Sequence, residues 1–186
     1  MPSFITVRGL VFSTLFGALL VASSFLNLHL PFSPVPITLQ NLVVMLAGAI
    51  LGPLYGFLSI ALVVLLTAAG LPLLHGNGGP GLIFGPTGGF IWAYPFAALL
   101  IGWTVSRIQG RGTAAWLGLF AAAEVFGSLL LYVTGVPWLS HVAGFSLQKA
   151  LAAGRYPYLP GDAVKAAVAA SVALPIRRIF PVSRLK

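Results

Sequence analysis

The sequence predicts an all-α integral membrane protein, on three observations. Hydrophobic residue types make up 59 % of the 186 residues and charged types only 6 %, whereas a soluble domain carries about a quarter charged residues. So little charge cannot clothe a water-facing surface, and lipid is the fitting solvent. The apolar residues fall into runs of spanning length, and most basic residues stand beside those runs.

A spanning helix needs about 20 apolar residues to cross about 30 Å of hydrocarbon. Six segments qualify or nearly do: residues 5–26, 38–51, 53–69, 87–106, 113–134 and 161–180. The second and third are divided at Gly52-Pro53 because a single helix over both would be too long for one span. The first could pass for a secretory signal, but the apolar segments that follow favour a retained helix. Neither repeat nor internal boundary is visible, so residues 1–186 read as a single membrane domain.

Charge placement orients the bundle. With the N-terminus cytoplasmic, Arg8, Arg107, Arg111, Arg177, Arg178, Arg184 and Lys186 lie inside, and Lys149 and Arg155 outside, with Lys165 set apart within the last helix. This positive-inside bias places both termini in the cytoplasm. It also accounts for the net charge of +8 without nucleic acid. Three loops then share the outer side: residues 27–37 with three prolines, the glycine- and proline-rich 70–86, and 135–160, in which 140–153 reads as a short amphipathic helix.

Only two acids occur, Glu124 and Asp162, and no cysteine, which removes thiolate and disulfide chemistry. Asp162 and Lys165 stand three apart and share a helix face. They either neutralise one another, with Asp162 also suited to a helix N-terminus, or present an acceptor and a donor to a polar ligand. Glu124, inside the fifth helix, is a candidate for function by its location. It is equally able to be a protonated, hydrogen-bonded packing residue.

His75 to Gly81 contains a literal GxGxxG at Gly76, Gly78 and Gly81. A dinucleotide site needs a strand before it and a helix after it. Hydrophobic spans flank this one, and Pro80 and Pro86 interrupt it, so a loop approaching a ligand fits better, with Asn77 offering donor and acceptor. A lone His75 does not make a metal site. Ala18 and Ala22, preceded by Ser13 and Gly17, form small-xxx-small rows that permit close helix contact, within the chain or with a partner. The aromatic residues fall mostly near span ends, as an interfacial belt would place them, though one or two could wall a pocket. No GxxxxGK[ST] is present, so ATP hydrolysis is not expected of this chain. No nucleophile–base pair suggests a lipid hydrolase.

Several segments together resemble a known family. They are Val35-Pro36-Ile37-Thr38-Leu39-Gln40, Gly70-Leu71-Pro72, Gly85-Pro86-Thr87-Gly88-Gly89-Phe90, Gly135-Val136-Pro137-Trp138-Leu139 and Leu159-Pro160-Gly161-Asp162-Ala163-Val164-Lys165. They resemble BioY, the substrate-binding component of energy-coupling factor (ECF) biotin transporters, over nearly the whole chain. The GPTGG and PGDxxK segments are the most specific. The resemblance implies six membrane helices and a biotin pocket near the outer surface under the first loop. It maps biotin contacts onto Asn77, Asp162 and Lys165. Ala18 and Ala22 then face a transmembrane coupling protein, and two ATPase subunits supply the energy. It implies no catalysis, metal or cofactor, biotin being the ligand, and a prokaryotic cell membrane as the location. Phe90 stands where Tyr is usual, and Glu124 belongs to no motif of the family. The other reading is a transporter acting alone, proton-coupled through Glu124.

Overall fold

The computed structural model describes residues 6–108 and 112–181. Arg111, Arg184 and Lys186, used in the charge argument above, lie outside the described residues. In chain order the elements are α1 (Val7–Ser24), β1 (Asn27–Leu28), β2 (Ile37–Thr38), α2 (Gln40–Ala68), α3 (Pro80–Ile83), α4 (Gly88–Arg107), α5 (Thr113–Glu124), a π-helical turn (Val125–Leu129), α6 (Leu130–Ala143), α7 (Leu147–Gly154) and α8 (Leu159–Ile179). Among the described residues, five helices are long and apolar enough to cross a membrane: α1, α2, the continuous Thr113–Ala143 segment, α4 and α8. This is a multi-pass membrane protein.

The break expected at Gly52-Pro53 is a reversal of the chain. Gly52 has φ 79° and ψ −175°, a conformation open to glycine, and Pro53 cannot donate a helical bond back to Ala49. A Cβ on Gly56 would lie 3.0 Å from the Cα of Gly48, whereas eight residues of straight helix span about 12 Å. The two parts of α2 are therefore antiparallel limbs, 40–51 and 53–68. Helix α4 closes on the turn: a Cβ on Gly102 would lie 2.5 Å from the Gly52 carbonyl carbon.

The fifth segment departs from the sequence reading. It was expected to end at residue 134 and yield to a loop at Gly135, but it continues to Ala143 through Pro137. Membrane helices tolerate such a proline where neighbours re-satisfy the freed backbone. Gly135 lies against the Phe90 ring, at 2.4 Å from a built Cβ, and Gly89 of α4 lies equally close to Trp138 Cβ. This intimate α4–α6 contact is the packing role of the GPTGG segment. Gly144, in the left-handed conformation, then ends α6. The amphipathic helix expected over 140–153 is confined to α7, whose N-cap Ser146 accepts from the Lys149 N–H at 3.3 Å.

Among the described residues two larger clusters fill most of the interior, beside a small one at Leu51 and Tyr55. One joins α1, α2, α4 and α6 through Leu20, Val44, Ile60, Ala97 and Leu139. The other seats α8 by a stripe of small residues, Ala166, Ala169, Ala170 and Ala173, against Met45, Ile101 and Leu119. In lipid there is little hydrophobic drive between helices, so close contact across small residues supplies the attraction.

Candidate functional site

A cavity opens at one end of the bundle, and all three long connecting regions contribute to it. Val35, Pro36 and Thr38 come from the first, His75 and Thr87 from the second, and Gly154 and Tyr158 from the third. Gln40, Asn41, Phe90, Ile91, Tyr94, Leu131, Tyr132, Asp162 and Lys165 complete the wall. Its mixture of apolar surface with a few polar groups suits a small organic ligand.

Asp162 is the centre of the polar wall. It is only 5 % exposed, in the first turn of α8, where the helix N-terminus favours an anion. Its Oδ1 accepts from Lys165 Nζ at 2.9 Å and from Asn41 Nδ2 at 2.8 Å. Its Oδ2 accepts from the Tyr132 hydroxyl. Lys165 Nζ also donates to Asn41 Oδ1 at 2.9 Å. Asp162 and Lys165 thus neutralise one another, and both stand on the cavity wall. A carboxylate buried this deeply is tenable only with such a full set of donors. Beside it, the Tyr94 hydroxyl donates to Gln40 Oε1 at 3.2 Å.

The first loop is tied across the opening. Ser33 Oγ donates to the Ala153 carbonyl at 2.6 Å, and the Tyr158 hydroxyl lies 3.0 Å from Ser33 Oγ and donates to the Val35 carbonyl. Burial pushes the Tyr158 phenol above its ordinary pKa, the Ser33 hydroxyl opposing that and nearby Asp162 adding to it. Tyr158 thus stays a donor at neutral pH. The loop's ends are joined by the β1–β2 pairing, Asn27 with Thr38 and Leu28 with Ile37.

The second loop is pinned to α1. The His75 N–H donates to Ser24 Oγ at 3.1 Å and its Nδ1 lies 3.0 Å from the Ser24 carbonyl. His75 holds φ 55°, sparsely populated for a side-chain-bearing residue. Burial lowers its pKa, the bond to Ser24 opposing that and His29 adding to it.

Of the residues singled out in the sequence, Asp162 and Lys165 meet at the cavity. Asn77 is exposed, donates to the His75 carbonyl at 3.0 Å and is not part of the cavity wall. Ala18 and Ala22 are exposed along α1, while Ser13 and Gly17 turn inward. The small-residue row is thus split between an internal and an external face. Glu124 accepts from Ser128 Oγ at 3.4 Å and lies outside the cavity wall. Sequence reasoning did not single out Gln40, Asn41, Tyr94 or Tyr132 as site residues. Only the placement of two uncharged amides at the head of an apolar run hinted at the first two.

The chain matches the BioY family model over residues 1–182. It is 43 % identical over 171 residues to a protein of Bacillus subtilis (strain 168) described as a probable biotin transporter BioY, covering 91 % of this chain and 90 % of that one. It is 39 % identical over 170 residues to the biotin transporter BioY of Rhizobium etli, covering 89 % and 90 %. A crystal structure of the S-component for biotin from an ECF-type ABC transporter superimposes with a TM-score of 0.83 at 32 % identity, over 92 % of each chain. On sequence across nearly its full length, and on fold, the chain belongs to the BioY family.

Proposed function

We propose that this chain is the biotin-binding subunit of an ECF-type uptake transporter in a prokaryotic cell membrane, a single membrane domain without catalytic activity of its own. The observation that carries the reading is the closed polar network of Asp162, Lys165, Asn41 and Tyr132 on the wall of a strapped cavity. A ureido ring offers two N–H donors and one carbonyl acceptor. Asp162 can accept from N–H, and such charge-assisted bonds are stronger than neutral ones. Lys165 can exchange its bond to Asn41 for an oxygen of the ligand. Asn77 joins by exchanging its bond to the His75 carbonyl for one to the ligand.

The two limbs of α2 support a count of six membrane segments with both termini cytoplasmic and the cavity facing outward. ATP hydrolysis then belongs to two partner subunits, for which the absent P-loop is the supporting observation. A transmembrane coupling protein docks along Ala18 and Ala22.

Calorimetry of biotin on the purified protein tests the site. Asp162→Asn and Lys165→Ala should each weaken binding about 10- to 100-fold; unchanged affinity in both would remove the assignment. Replacing Ala18 and Ala22 by Trp should leave biotin binding intact and prevent co-purification with the partner subunits. Normal assembly would count against the docking face.

A further inference from the structure

Gln40 opens the first limb of α2 next to Asn41, and both line the cavity. Its side chain is 1 % exposed. The Tyr94 hydroxyl occupies Oε1, whereas Nε2 is buried with no hydrogen-bond partner among the described residues. A buried amide donor left unpaired is costly, and native proteins seldom leave one unless a ligand or water is to meet it. The contrast with its neighbours is sharp. Asp162 has three donors and Lys165 two acceptors within the chain, so the network is satisfied before any ligand arrives.

The surroundings define what Gln40 can meet. Gln40, Tyr94, Tyr132 and Asp162 are all less than a tenth exposed, and the charges of Asp162 and Lys165 cancel. A ligand carboxylate brought here would be buried beside the Asp162 carboxylate, at a desolvation and repulsion cost that a neutral group avoids. The acceptor suited to an uncharged amide N–H here is therefore an uncharged carbonyl.

We infer that Gln40 is a specificity-determining residue that donates from Nε2 to the neutral carbonyl oxygen of the ligand's cyclic urea, with Tyr94 fixing the amide orientation. This rests on the biotin reading above. It leaves the ligand carboxylate to the loop-covered part of the cavity. It also makes a donor-to-acceptor exchange at residue 40 a switch in preference between a urea and a guanidine.

The test compares biotin, iminobiotin (in which an imine replaces the ureido carbonyl) and biotin methyl ester. Each is titrated calorimetrically into the purified full-length protein, wild type, Gln40→Met and Gln40→Glu. Gln40→Met should weaken biotin about 10- to 100-fold while leaving the ratio of biotin to its methyl ester unchanged. Gln40→Glu should weaken biotin similarly and strengthen iminobiotin, reversing the order of the two. Should Gln40→Glu fail to fold, the Gln40→Met arm decides alone. Wild-type affinity for biotin in Gln40→Met, or a loss in it of discrimination between biotin and its ester, overturns the assignment to the carbonyl. Absence of biotin binding by the wild-type protein instead removes the functional reading itself, and this inference with it.

Discussion

Helix α8 carries Lys165 towards one end and Arg177, followed by Arg178, towards the other, and Lys165 and Arg177 are held in opposite ways. Lys165, at the cavity end, meets a full negative charge on Asp162 and an amide oxygen on Asn41. Arg177, at the other end, is held by backbone: Nη1 donates to the Ala49 carbonyl at 2.7 Å and Nη2 to the Val105 carbonyl at 3.2 Å. Both carbonyls lie in the last turn of a helical stretch, where partial negative charge gathers. Ala49 is the residue that Pro53 deprives of its helical donor. The nearby void matches this difference. It is an apolar groove lined by Phe12, Phe16, Ile50, Leu51, Ile176, Ile179 and Phe180, with none of the carboxyl and amide groups of the ligand cavity. A cation paired with side chains can exchange one partner for a ligand. A cation fastened to main-chain carbonyls secures a turn and has nothing to exchange.

Breaking the pair at Lys165 should have the largest effect. Asp162→Ala leaves a buried ammonium without its anion and should cost about 3–5 kcal/mol of stability and abolish biotin binding. The double variant Asp162→Ala, Lys165→Met should recover most of the stability and none of the binding. Thermal unfolding and calorimetry on the same samples separate the two. If the double variant is no more stable than the single, the pair is not the electrostatic unit described here.

At the far end, Arg177→Met should cost about 2–3 kcal/mol by stranding the Ala49 carbonyl, seen as a lower unfolding temperature. Biotin affinity of the folded fraction should stay within about twofold. A large loss of affinity without a loss of stability would erase the distinction between the two ends.

The smallest effect concerns His75, on the loop beside the cavity. Its pKa is lowered in the closed loop, so an opened loop binds the proton more readily, from the ordinary value of about 6.5. The closed state is therefore fully favoured above that pH and loses stability as pH falls through it towards the lowered value. Biotin release should accelerate as pH falls below about 6.5, and His75→Gln should flatten the dependence. His29 lies close enough to add to the effect, so His29→Gln belongs in the same series.

The residues differ in how readable they were. The Asp162/Lys165 pair was legible because three-residue spacing on a helix places two side chains together whatever the rest of the fold does. The break at Gly52-Pro53 was legible for a similarly local reason. The extension of α6 through Pro137 was not: the local signals of Gly135 and Pro137 both favour a turn. What prevails is the contact of Gly135 with Phe90 and of Trp138 with Gly89, residues more than forty positions away. Asn41, Tyr132 and Gln40 were not legible as site residues for the same reason. Asn41 reaches Asp162 across 121 positions, Tyr132 across 30, and Gln40 meets Tyr94 across 54.

By itself the sequence determined the membrane class, the approximate helices, the one ion pair on α8 and the absence of a phosphate-binding loop. Each of these is a matter of composition or of neighbours within a turn. Tertiary structure alone decided that the limbs of α2 fold back on one another and that three loops converge on one cavity. It also decided that Asp162 gains its second and third donors from other helices, and that Arg177 faces main-chain carbonyls rather than an acid. The physical reason is range. Helical periodicity and hydropathy act over a few residues, whereas a buried polar group is satisfied by whatever partner packing brings to it, at any separation along the chain.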